Sequence, residues 1–148
     1  MKIESLHHVS LSVTDLARSE RFYEQILGLP RLDRPPFDFA GAWFQLGASQ
    51  QLHLIVHTNQ TFRGEKALDT RDVHFALRVG SYRETLRHLQ SLGYTEENPD
   101  EFRRLKLQPH ARAGFPQMYI LDPDRHVIEI NAAGLDASPD ASLDEGSD

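Results

Sequence analysis

The chain has 148 residues, a formal net charge of -6 at pH 7 and no cysteine. That length suits one compact domain or two small packed modules, and the missing cysteines remove disulfide frameworks and thiolate chemistry. The acidic balance, without a basic stripe of interleaved aromatics, argues against nucleic acid as a partner, and no apolar run is long enough to cross a membrane.

Met1-Lys2-Ile3-Glu4 carries no signal-peptide pattern, so a cytoplasmic protein is expected. The first patterned segment is 8–13, where a period of two sets His8, Ser10 and Ser12 on one strand face and Val9, Leu11 and Val13 on the other. Residues 16–27 switch to helical spacing, with Leu16, Phe22, Tyr23, Ile26 and Leu27 on one side, Asp15 as N-cap and Gly28 as the left-handed stop. Strands are then expected at 29–34, 41–46 and 51–57, separated by Pro35-Pro36 and by Gly47-Ala48-Ser49-Gln50.

The pattern then repeats. Residues 74–79 set His74, Ala76 and Arg78 opposite Phe75, Leu77 and Val79, and a helix over 82–92 is opened by a capping box, Ser81 with Glu84, and closed by Gly93. Strands follow at about 94–97, 103–108, 117–121 and 126–131, although Pro99, Pro109, Gly114 and Pro116 leave 98–116 open to a long loop. The reading is α+β, two βαβββ modules at about 1–60 and 70–134 within one domain of 1–134. The acidic segment 135–148 is read as a flexible tail.

Parity also places the chemistry. His53 and His57 share one face of 51–57, and Glu129 and Asn131 share one face of 126–131 opposite Ile128 and Ile130. Each module thus offers a first-strand histidine and a last-strand polar group: His8 with His53, and His74 with Glu129. Three imidazoles and a carboxylate suit a divalent transition metal, and Glu129 would be costly to bury without a partner.

The segments at 7–29, 41–47, 51–56, 74–79 and 118–130 together resemble the vicinal oxygen chelate superfamily, which includes glyoxalase I, the fosfomycin-modifying metalloenzymes and the extradiol dioxygenases. The resemblance covers most of 1–133. It implies paired modules forming an open, barrel-like cleft, of the glyoxalase and dihydroxybiphenyl dioxygenase kind. One divalent ion (Zn, Ni, Fe, Mn or Co) would be held by His8, His53, His74 and Glu129, and a homodimer is implied. The second ligand position, Glu in glyoxalase I, is His53 here, so metal identity does not carry over.

The resemblance implies an enzyme acting on a small alpha-oxygenated substrate, foremost a glyoxalase I-like lyase or isomerase with Glu129 as candidate base and His53 sharing proton transfer. Thiol transfer to an epoxide, with Ser10 orienting a substrate oxygen, extradiol cleavage and non-catalytic small-molecule binding are the alternatives. Ser12 and His57 stand where glyoxalase I has its glutathione-recognising Arg and its Asn, so glutathione recognition is not inherited. Arg71, Arg78 or Arg112 could meet an anionic substrate from another side.

Overall fold

The computed structural model describes residues 1–57 and 63–136. Module one contributes β1 (His8–Val13), α1 (Leu16–Arg21), β2 (Arg31–Leu32), β3 (Gly41–Leu46) and β4 (Gln50–Val56). Module two contributes β5 (His74–Val79), α2 (Tyr82–Ser91), β6 (Lys106–Gln108), β7 (Gln117–Leu121) and β8 (Val127–Ala132). The strand orders are β1-β4-β3-β2 and β5-β8-β7-β6, with the first and last strands of each module parallel and the remaining pairs antiparallel. These are the two expected modules, their sheets facing an open cleft without closing into a barrel.

The helix starts behave as their caps dictate: the Asp15 side chain accepts from Arg18 N, and the Ser81 side chain from Glu84 N. The first helix has an unexpected second half. After Arg21 the chain widens into a π-helical turn over Phe22–Ile26, with Leu27 N bonded to Phe22 O at 3.3 Å. Gly28 and Gly93, at φ of 66° and 89°, then end the two helical segments in the left-handed region that side chains disfavour.

Three expected strands shrink or vanish. The 29–34 strand survives only as Arg31–Leu32, hemmed by Pro30, which has no N–H to pair, and by Pro35. No strand forms at 94–97, where Thr95 makes an isolated bridge to Arg104. The Asn98 side chain donates back to Gly93 O at 2.8 Å and accepts from Asp100 N, turning the backbone away from a ladder. The expected 103–108 strand is confined to β6, preceded by a 3-10 turn at Glu101–Arg103.

The apolar strand faces and helices form a main core, with a smaller cluster of Tyr119, Leu121 and Val127 apart from it. Leu11, Val13, Phe44, Leu52 and Leu54 from the first sheet join Met118, Ile120, Ile128 and Ile130 from the second, with Tyr23 and Leu89 from the helical layer. Each such fully buried side chain contributes about 1.5–3 kcal/mol.

A polar clasp ties the modules. The buried Asp124 carboxylate accepts from Thr14 N, Thr14 Oγ1, Ser19 Oγ and Arg18, while Tyr23 donates to the buried Asp122 at 2.8 Å. Asp122 also accepts from Asp124 N and His126 N, shaping the turn into β8, in which Arg125 sits at φ 66°. Burial raises the pKa of Asp122. At the other end of the chain, Asp136 is docked on the start of α2 by Ser81 Oγ at 2.6 Å and Arg83 N at 2.8 Å. The acidic tail beyond it lies outside the described residues.

Candidate metal centre

Register makes the two modules superimposable at the site. His8 pairs with Gln51 across β1 and β4, and His74 pairs with Val127 across β5 and β8. Each histidine is therefore diagonal to the residue two further along the last strand, His53 in one module and Glu129 in the other. Across the next ladder Trp43 faces His53, and Tyr119 faces Glu129.

In module one the result is a stack. His53 lies between His8, at 4.3 Å and 15°, and Trp43, at 4.1 Å and 5°. Gln51 Oε1 sits 2.7 Å from His53 Nε2, and His7 Nδ1 sits 2.9 Å from His8 Nδ1. Burial, followed by the neighbouring His8, His7 and Arg34, holds the His53 pKa below the ordinary imidazole value, which favours the neutral ring that metals bind.

In module two the centre is a fixed carboxylate. Glu129 Oε1 accepts from Gln117 Nε2 at 3.0 Å and Asn131 Nδ2 at 2.7 Å, and Oε2 accepts from Tyr119 Oη at 3.1 Å. His74 Nε2 lies 3.2 Å from Oε2, and His74 Nδ1 lies 2.7 Å from the Asp72 carbonyl, which orients the ring. Burial pushes the Glu129 pKa up, but the bonds from Asn131, Gln117 and Tyr119, with His74 nearby, bring it below the usual carboxylate range. Tyr119 is pushed up to about 12 by burial and by that carboxylate, so it stays a donor.

The donor chemistry fits a divalent ion. Two ligands about 2.1 Å from one ion and roughly at right angles are about 3 Å apart, which is the His74–Glu129 spacing. The four expected ligands are brought together as two pairs, His8 with His53 and His74 with Glu129. Among the described residues, no group of three or more His, Asp or Glu in one chain is placed to hold an ion.

Other expected residues fall around this centre. His8, Ser10, His74 and Arg78 line a groove of about 1140 Å³ that runs between β1 and β5. Arg78 Nε donates to Asn131 Oδ1 at 2.5 Å, while its guanidinium lies 5.0 Å from the Phe115 ring. Arg71 is paired with Asp69, and Arg112 is exposed. His88 and His126 bond the Ile26 and Ser12 carbonyls, which are structural roles.

Gln117 and Tyr119 were the residues missed as Glu129 donors. The alternation in 117–121 already set them on one face, but only register shows that this face meets Glu129.

Known proteins share this architecture. Over 132 residues the chain is 27% identical to a protein described as Glyoxylase I 4 from Arabidopsis thaliana, covering 88% of this chain and 71% of that protein. A glyoxalase family protein from Bacillus anthracis matches with a TM-score of 0.70 at 22% identity, covering 89% of this chain and 97% of that one. The fosfomycin resistance protein FosX from Listeria monocytogenes, solved with Mn(II) and a dihydroxypropylphosphonic acid, matches with a TM-score of 0.62 at 20% identity, covering 90% and 95%. Residues 5–130 also match a family model, so with its doubled βαβββ fold the chain belongs to the Glyoxalase/Bleomycin resistance protein/Dioxygenase superfamily.

Proposed function

We propose that the protein is a divalent-metal-dependent enzyme of the glyoxalase I-like lyase or isomerase class, acting on a small substrate with oxygens on adjacent carbons. The observation that carries this reading is Glu129, a buried carboxylate locked by three neutral donors and set 3.2 Å from His74. Its second oxygen faces the His74 imidazole at a spacing that one ion could bridge. The relative from Arabidopsis thaliana described as Glyoxylase I 4 supports the same class.

His8, His53, His74 and Glu129 would hold the ion, which when bound would stabilise negative charge developing on the paired substrate oxygens. The chain's own groups do the rest. Gln117, Tyr119 and Asn131 hold Glu129 ionised and aimed. Glu129 is the proposed proton acceptor, with His53 as the second group able to exchange a proton. As the bonds to its oxygens make it a weak base, substrate must loosen at least one of them before proton transfer.

The two half-sites are proposed to meet across a homodimer. Among the described residues β4 is the one strand paired with β1 and β8 the one paired with β5, so each presents an edge without a strand partner to the groove, with His126 bonded to Ser12 O on β1. Val73 and Leu6 are exposed there, and Phe75, Leu77 and Val79 are only half-buried. Such edges and apolar residues are suited to a second copy of the chain.

The test is metal analysis of the purified protein followed by turnover assays with hemithioacetals, thiol-epoxide pairs and catechols, before and after chelation. Turnover on hemithioacetals that is lost with a chelator and restored by a divalent ion is the expected result. Ligand binding that is indifferent to metal, without turnover on any substrate, would sink the enzymatic reading in favour of a binding protein.

A further inference from the structure

The stack on His53 does not stop at Trp43. Across the sheet from β1 to β3 and onto the chain before β3 runs a row of rings: His8, His53, Trp43, then Phe37 at 6.0 Å from Trp43, then Phe39 at 5.1 Å from Phe37. Phe37 and Phe39 are 45% and 42% exposed, a high value for two phenyl rings that adjoin a candidate active centre.

The row ends in a cation. The Arg34 guanidinium lies 4.7 Å from the Phe37 ring and 4.9 Å from the Phe39 ring, and its Nη2 donates to Phe39 O at 2.8 Å. Its Nε is buried without a hydrogen-bond partner, and no carboxylate forms an ion pair with it among the described residues. A guanidinium carries five N–H donors, so most of this one's capacity is uncommitted.

Arg34 lies against the β3 face that carries Trp43. A Cβ on Gly41 would stand 3.1 Å from Arg34 Nε, and Gly41 shares the β3 face of Trp43. A Cβ there would meet Leu54 O first, so glycine at 41 permits the close approach of β4 and, with it, the guanidinium lying over the strand.

We infer that this row is the selecting wall of the cleft, and that it takes a substrate whose reacting oxygens are joined through a flat apolar group, best an aryl ring, to a remote anion. The flat group stacks on Trp43 and Phe37, the anion meets Arg34, and the paired oxygens lie toward His8 and His53. The location of those oxygens rests on the metal reading above; the aryl and anion preferences do not.

Trp43 is the only tryptophan in the chain, so its emission reports directly on the wall. The full-length protein would be titrated with three unreactive vicinal diols, with and without a chelator: 4-(1,2-dihydroxyethyl)benzoate, 1-phenylethane-1,2-diol and propane-1,2-diol. The expected order of affinity is the order given, with at least tenfold between the first two. Arg34→Gln should abolish the gap between the first two, Arg34→Lys should keep part of it, and Phe37→Ala should weaken both aryl diols together.

Equal binding of all three diols, or an unchanged gap in a folded Arg34→Gln protein, would overturn the proposal. So would an emission change that follows protein concentration and not diol, since the wall would then be covered by a second copy. Failure of the metal or turnover assays leaves these three results untouched and bears only on the enzymatic reading.

Discussion

Equivalent positions of the two modules carry opposite chemistry around the site. Gly41, Trp43 and Ile55 surround His53 in register, where Gln117, Tyr119 and Asn131 surround Glu129. Module two spends three side chains on donors because a buried carboxylate must be solvated by the protein. Module one makes do with a single side-chain hydrogen bond, with Gln51, because a neutral imidazole carries no charge to solvate and its two faces are covered by stacking. The backbone repeat is therefore a shared frame, and the shell around each central residue decides whether that half supplies charge or neutral nitrogen.

The strongest way to break this comparison is Glu129→Gln. An amide keeps the shape but removes the charge and turns one oxygen into a donor facing other donors, Gln117, Tyr119 or Asn131. Turnover should fall about 10²–10⁴-fold. Measured metal content then separates the roles: loss of turnover with metal retained marks proton transfer, whereas loss of metal marks ligation alone. Unchanged turnover would remove Glu129 from the chemistry.

His53→Glu asks whether module one can host a carboxylate. Trp43 and Ile55 offer it no oxygen-directed donor comparable with Tyr119 and Asn131, leaving Gln51 as a neighbour that contacts His53 now. Without metal, the new group should titrate above the ordinary carboxylate value and cost about 1–3 kcal/mol at neutral pH. The cost appears as pH rises through the carboxylate range, because the raised native pKa opposes ionisation. Denaturant unfolding at pH 4 and pH 7 reads it, and equal cost at both would show that packing alone is at fault.

Which residues would show these effects was only partly legible in the sequence. Strand parity put His8, His53, His74 and Glu129 on the faces where the structure has them, and the helix caps at Asp15 and Ser81 sit where expected. Parity is a local property, so it survives without knowledge of neighbours. The shells depend on register between strands, and pairings such as Tyr119 with Glu129 involve turns whose length fixes the offset. The π-helical turn at Phe22–Ile26 escaped for a related reason: its apolar spacing also satisfies an α-helix. The strand expected at 94–97 failed because the Asn98 side chain bonds Gly93 O and Asp100 N and ends the extension.

A smaller effect is expected for Tyr119→Phe. One donor to Glu129 Oε2 is lost while Gln117 and Asn131 remain on Oε1, so the carboxylate stays ionised at neutral pH but is less well fixed. Metal affinity should drop about tenfold, the low end of what outer-shell partners contribute. The Glu129 pKa should rise toward its ordinary value. A depressed carboxylate stabilises the fold above its unfolded pKa and loses that stabilisation as pH falls through the native one, so the variant should begin to lose it at higher pH. A chelator competition and an acid unfolding series check the two parts, and an unmoved acid limb would mean that Tyr119 does not hold the charge.

The smallest effect lies in the titration of His53. Its native pKa is lowered by burial first, then by His8, His7 and Arg34. Because the unfolded chain takes up that proton more readily, this residue's stabilisation is complete above about pH 6.5 and declines as pH falls toward the native midpoint. The Nε2 and Nδ1 environments followed by NMR in chelated protein should show His53 titrating below a free imidazole. His8→Ala should move the midpoint up further than Arg34→Gln, following the order of their contributions. The reverse order would make Arg34 the dominant charge at His53, and the module-one stack would then be an electrostatic arrangement like that of module two.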